Sequence, residues 1–267
     1  MRLYISADME GISGISGWQE IEPPSARHLK LLVGEINAAI KGALAAGARE
    51  IVVNDAHGSM RNIPVEELHL QAELITGSPK PLGMLAGLDS SFGAAFFIGY
   101  HGRAGSAGTL SHTFSDRVHR LRVNGREMGE TGLNALLAGY FGVPVLLVAG
   151  DRTAVTEAQA LIPGVAGIAV KEGLGYGAAR CLHPLKARER IRQAAVRALA
   201  ELEKARPLAP PAPACIEIEF QHPGHAEAAA LLPGSVRVDD LTISYTGRDY
   251  LEVWKAARAL ITLSREG

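Results

Sequence analysis

Four short, β-rich apolar runs each break off into polar residues or glycine. LYISA runs into Asp8-Met9-Glu10-Gly11, IVV into Asn54-Asp55-Ala56-His57-Gly58, AAFFIGY into His101-Gly102, and VLLVA into Gly150-Asp151. Continuous rather than alternating runs of this length suit strands buried on both faces. Between the first two, Leu29, Leu32, Val33, Ile36, Ile40 and Leu44 recur at spacings of three and four, which predicts a helix over 25–46 stopped by Gly47. Strand, helix, strand is the signature of a right-handed crossover in a parallel sheet. The expected fold class is therefore α/β, a mainly parallel sheet flanked by helices.

The remainder of the chain extends that pattern and then leaves it. Residues 60–88 read as turn-rich, with a short strand near 72–75. Leu121–Val123 before Asn124-Gly125 reads as a strand entering a tight turn. Gly129-Glu130-Thr131 opens a helix that Gly142 and Pro144 end, and further helices are expected over 154–161 and 185–205, with a short strand at 168–170 between them. Four prolines in 206–213 make the clearest linker. Beyond it, 215–220 alternates as a half-exposed antiparallel strand, strands follow at 236–238 and 241–245, and helices are expected over 226–232 and 249–263. The expected organisation is a catalytic core over 1–206, a linker over 207–213 and a smaller C-terminal α+β subdomain over 214–267.

Composition removes several function classes. A net charge of −1 gives no basic field for nucleic acid or anionic lipid, and aromatics at 5% provide no stacking platform for single strands. The only cysteines, Cys181 and Cys215, lie far apart, so neither a disulfide framework nor a thiolate zinc site is indicated and buried, reduced thiols are expected. No apolar run is long enough to span a bilayer and the first run reaches Asp8 too soon for a signal peptide, so the expected location is the cytoplasm.

The chemistry sits where the strands end. Residues two apart in extended chain point to one side, so Asp8 and Glu10 project together from the end of the first strand. Adjacent carboxylates repel unless a positive group lies between them. His57 and His101 follow two other strands, and open α/β sheets bind ligands in the crevice outside those ends. Glu130, in the first turn of its helix, can join them. Carboxylate and imidazole donors without thiolate suit Zn²⁺, Mn²⁺ or Fe²⁺ in a hydrolytic site. Five donors exceed what one catalytic zinc needs, and a pair of ions bridged by Asp8 accounts for them better. Asp55 is read either as orienting a histidine or as a turn former, and Lys171 either as meeting a substrate carboxylate or as solvated.

SADMEGISG (6–14), VNDAHGSM (53–60), GYHGRA (99–104), SHTF (111–114), GETGLNA (129–135) and VPVLLVAGD (143–151), in this order, resemble the M55 family of metallopeptidases, D-aminopeptidases of the type associated with bacterial dipeptide-transport operons. The resemblance spans nearly the whole chain. It implies two zinc ions held by Asp8, Glu10, His57, His101 and Glu130, with His112 at the position the family assigns to catalysis. The chemistry leaves His112 open as general base, proton shuttle or oxyanion stabiliser. The implied activity is hydrolysis of N-terminal D-amino acids from short peptides or amides, in a ring-like homodecamer. The rival readings are another dinuclear metallohydrolase, acting on a cyclic amide or phosphoester, and a non-catalytic α/β ligand-binding module. The first strand end lacks the DxH of calcineurin-like phosphoesterases. Its glycines (Gly11, Gly14, Gly17) follow two acids that would repel a pyrophosphate.

Overall fold

The computed structural model describes residues 1–267. In chain order the elements are β1 (Arg2–Ala7), α1 (Ala26–Ala45), β2 (Glu50–Asp55), β3 (Ala72–Ile75), β4 (Ala94–Tyr100), β5 (Val118–Val123), β6 (Arg126–Glu127), α2 (Glu130–Tyr140), β7 (Val145–Asp151), α3 (Arg152–Leu161), β8 (Ala166–Gly175), β9 (Ala178–Cys181), α4 (Pro184–Ala200), β10 (Ala214–Phe220), α5 (Pro223–Ala229), β11 (Ser235–Arg237), β12 (Thr242–Gly247) and α6 (Tyr250–Leu263). The first sheet has the order β3-β2-β1-β4-β7-β8-β9 and is parallel except for its last pair. From β1 the chain builds outward through β2 and β3, then crosses to the other side of β1 with β4. That reversal is a topological switch point, where the crossovers leave a crevice at the strands' carboxyl ends.

Strand alternation sorts the core into two halves. Leu3, Ile5, Val53, Phe96 and Ile98 face α1 and α4, whereas Tyr4, Val52, Ala95 and Phe97 face the other side, where α2, α6 and the second sheet pack. The α1 spacing read from the sequence places Leu32, Val33, Ile36 and Ile40 in the interior. Asp151 ends β7 and caps α3, accepting the Thr153 N–H at 2.8 Å. Asp249 caps α6 in the same way through Glu252.

The second sheet runs β11-β12-β10-β5-β6 and is antiparallel. It is not drawn from the C-terminal segment alone, because β5 and β6 come from the middle of the chain, joined by a turn in which Asn124 and Gly125 both have positive φ (47° and 77°). A two-residue turn of that kind matches the right-handed twist of its strands. The proline-rich segment before β10 is packed, not tethered loosely: a side chain at Gly139 of α2 would overlap the Leu208 carbonyl. α4 is shorter than the apolar pattern suggests. It stops at Ala200 and gives way to a tighter turn, Leu202–Lys204. The cysteines differ from expectation, since Cys181 is exposed on an edge strand and Cys215 half-buried, both unpaired. No helix is long and apolar enough to cross a membrane.

Candidate metal centre

At the switch point the ends of β1 and β4 touch backbone to backbone. Gly11 has no room for a side chain because a Cβ there would overlap the Tyr100 carbonyl, and Gly99, at φ +76°, faces the Asp8 carbonyl equally closely. This approach brings the Asp8 and Glu10 carboxylates up to His101. The turn after β2 supplies His57, and the first residue of α2 supplies Glu130. All five side chains are buried, with exposures of 4% or less.

The donor atoms interlock. Glu10 Oε2 lies 3.0 Å from His57 Nδ1, and Asp8 Oδ1 is 3.5 Å from the same nitrogen. The other Asp8 oxygen is 3.4 Å from His101 Nε2, which is 3.4 Å from Glu130 Oε2. Asp8, Glu10 and His57 thus form one group able to hold a metal ion, and Asp8, His101 and Glu130 a second, with Asp8 in both; Glu10, His101 and the half-buried His112 form a third. His101 Nδ1 is committed to the Gly102 carbonyl at 2.9 Å, which leaves the lone pair of Nε2 directed inward when the ring is neutral. Asp8 Oδ2 and His101 Nε2 are both buried without a hydrogen-bond partner, as is His57 Nε2. Two acceptors facing each other in a dry site call for a cation between them, so a divalent metal fits this donor set.

The electrostatics lead to the same requirement. Burial, then the charge of Glu10, pushes the Asp8 carboxyl up to about 8. Burial opposes charge on the two imidazoles, but Glu10 lifts His57 to about 11 and Glu130 lifts His101 to about 10. Without a metal, protons must answer the carboxylates. A bound cation would take their place.

The sixth group is His112, on a loop held in an uncommon shape, with Leu110 and Phe114 at positive φ (54° and 59°) on either side. Its ring stacks on His101 with centroids 4.2 Å apart, and Trp18 packs against it in a T-shaped contact at 5.1 Å. Nδ1 is bound to the Leu110 carbonyl at 2.9 Å, and Nε2 looks toward Glu130 Oε1 and Glu10 Oε1 at 3.7 and 3.9 Å. Burial, followed by the nearby His101, lowers its pKa and favours the neutral ring.

The structure decides the two weaker candidates. Asp55 is a turn former: it accepts the Asn62 and Ile63 N–H groups, and Asn62 in turn holds the His57 carbonyl at 2.8 Å, so Asp55 steadies the loop and not the imidazole ring. Lys171 is neither solvated nor substrate-facing. It is 2% exposed, and its Nζ donates to the main-chain carbonyls of Glu10 and Ile15, tying down the loop that carries Glu10. Lys171→Met leaves both carbonyls unsatisfied, at about 1–3 kcal/mol each, and a lower urea midpoint with unchanged slope is the expected result. Trp18, Tyr176 and Arg258 also line the cavity, which has a volume of about 500 Å³. Of these only Trp18 had a local sequence signal, its place in the loop 12–24 after the first strand.

The family model for M55 peptidases, described as D-aminopeptidase, matches residues 1–259. The chain belongs to the M55 family. A D-aminopeptidase of Bacillus subtilis (strain 168) is 40% identical over 268 residues, covering 99% of this chain and 98% of that protein. The solved structure of the Zn-dependent D-aminopeptidase DppA from Bacillus subtilis, a self-compartmentalizing protease, superposes with a TM-score of 0.97 at 39% identity, covering 100% of this chain and 99% of that one. The mixed α/β fold with a largely parallel sheet is thus shared with an M55 peptidase along the whole chain.

Proposed function

We propose that the protein removes N-terminal D-amino acids from short peptides or amides, and that Asp8, Glu10, His57, His101 and Glu130 hold two zinc ions with Asp8 common to both. The observation that carries this reading is the pair of metal-competent groups sharing Asp8, with buried acceptors left facing each other. Membership of a D-aminopeptidase family and the zinc dependence of the similar DppA support it. When bound, zinc supplies Lewis acidity at a carbonyl oxygen and brings the pKa of water toward neutrality.

The chain's own residues do the rest. His112, its Nδ1 fixed on Leu110, offers Nε2 to take the proton of the attacking water and return it to the leaving amine. Glu10 and Glu130, within 3.9 Å of that nitrogen, stabilise the imidazolium formed in between. Trp18 and Tyr176, hydrogen-bonded to each other at 3.1 Å, wall one side of the cavity against water.

The test is hydrolysis of paired D- and L-aminoacyl amides and dipeptides by zinc-loaded protein. Preference for the D series is expected. Equal or faster cleavage of the L series overturns the stereochemical part, and no cleavage of either overturns the peptidase reading.

Self-association into a ring-like homodecamer belongs to the same proposal. The similar DppA is a self-compartmentalizing protease, and this chain exposes Leu174 at 72%, Leu231 at 74%, Val236 at 60% and Val238 at 53%. Large apolar side chains left exposed in this way suit contacts between copies. We also place the protein in the cytoplasm, whose reducing conditions suit its unpaired thiols.

A further inference from the structure

The cavity's walls carry positive charge that the metal centre does not use. Arg258, from α6, lines it together with Arg117 and Arg265. Of the three, Arg265 is exposed near the chain's end and Arg117 leans on the Ser115 hydroxyl at 3.2 Å. Arg258 is different. Its guanidinium carbon lies over the Phe114 ring, 4.9 Å from the centroid, a cation–π contact that seats it there. No carboxylate comes within the 4.0 Å of an ion pair, although Glu130 is a neighbour in the cavity wall. The Glu130 oxygens are occupied elsewhere, one by the Phe114 N–H at 2.6 Å and the other facing His101. Arg120, on the outer face of the second sheet, does pair, with Glu127 at 2.8 Å. A half-buried guanidinium seated over an aromatic ring in a cavity wall, with Glu130 as a charged neighbour but no ion pair, is a receptor for an anion.

We infer that Arg258 receives the C-terminal carboxylate of a short peptide substrate. The inference rests on the aminopeptidase reading, because only there does the substrate extend from the carboxylate–imidazole cluster along the cavity. A volume of about 500 Å³ holds a peptide of a few residues. In so short a chain the terminal carboxylate is the one anion every free peptide carries, whatever its side chains. The planar fork of a guanidinium matches both of its oxygens. Arg258 is then a specificity residue that distinguishes free peptides from amides and from longer chains.

The experiment compares kcat/KM for D-Ala-Gly, its C-terminal amide, and D-Ala-Asp amide, whose only carboxylate is on a side chain. Zinc-loaded wild type, Arg258→Gln and Arg258→Lys are each measured. Wild type is expected to favour D-Ala-Gly over its amide by about 10- to 100-fold, the worth of a charge-assisted hydrogen-bond pair. The ratio should fall toward one in Arg258→Gln, chiefly through KM, and recover in part in Arg258→Lys, which keeps the charge without the fork. A wild type that cleaves the free acid and its amide equally overturns the assignment without touching the peptidase reading. D-Ala-Asp amide cleaved as well as D-Ala-Gly overturns it too, since the recognised carboxylate is then a side chain's. A ratio unchanged in Arg258→Gln shows that another group reads the terminus and also overturns it. Should Arg258→Gln fail to fold, Arg258→Lys decides: a ratio lowered from wild type supports the assignment, and one equal to wild type's overturns it. If wild type cleaves none of the three, the peptidase reading and this one fall together.

Discussion

Asp8→Ala should empty both cation positions, whereas Glu10→Gln should leave about one zinc ion per chain. The difference follows from the oxygens. One oxygen of Asp8 approaches His57 and the other approaches His101, 3.5 and 3.4 Å away, so its loss removes a donor from each group. Glu10 lies 3.0 Å from His57 and reaches only that group among the two that share Asp8. Activity in Asp8→Ala should fall by about 10³-fold or more, since several kcal/mol of transition-state stabilisation goes with the ions. Zinc per chain, measured by plasma emission after dialysis, separates the two variants. Equal zinc content in both removes the shared role of Asp8.

Stability is the control that makes the metal count interpretable. In the metal-free protein, burial and the charge of Glu10 push the Asp8 carboxyl up to about 8, so the fold holds this group at a cost when no cation is present. Removing it should not unfold the metal-free chain, and zinc should raise the thermal midpoint of wild type far more than that of Asp8→Ala.

The legible part of this molecule was the part in which one residue's surroundings follow from the next few in the chain. Continuous apolar runs fixed the parallel strands, and the period of Leu29–Leu44 fixed α1, because burial on two faces or on one stripe leaves a mark in the local pattern. Asp8, Glu10, His57 and His101 stood out since each follows a strand, and a parallel sheet gathers its strand ends. Lys171 also follows a strand, yet it points under the loop and not into the cavity. Its role depends on where Glu10 and Ile15 place their carbonyls, and both lie more than 150 residues away in sequence. β5 entered the second sheet by pairing with β10 across the chain, a partnership no local period encodes. Arg258 looked like the polar face of an amphipathic helix, as any arginine there would. Only the position of Phe114, and the lack of an ion pair with the nearby Glu130, sets it apart.

His112→Ala should retain the zinc content of wild type and lose about 10²- to 10⁴-fold in kcat, the usual worth of a positioned acid–base group. The two halves of that expectation test different bonds. His112 is not needed to complete either group that contains Asp8, although it joins Glu10 and His101 in a third group able to hold an ion, so zinc retention tells which groups are used. Its ring covers His101 at 4.2 Å, and the zinc count shows whether uncovering His101 disturbs the ligands. The choice between proton transfer and oxyanion donation is then made with His112→Gln. A glutamine amide can donate a hydrogen bond from a similar position but cannot take up a proton near neutral pH. If Nε2 works by accepting the proton of water, Gln is as slow as Ala. If it works by donating to a developing oxyanion, Gln recovers a substantial part of the rate. The present geometry favours the first outcome: with Nδ1–H given to the Leu110 carbonyl, a neutral ring has only a lone pair at Nε2 to offer. Full activity in His112→Ala would take the residue out of the chemistry and leave proton transfer to the carboxylates of Glu10 and Glu130.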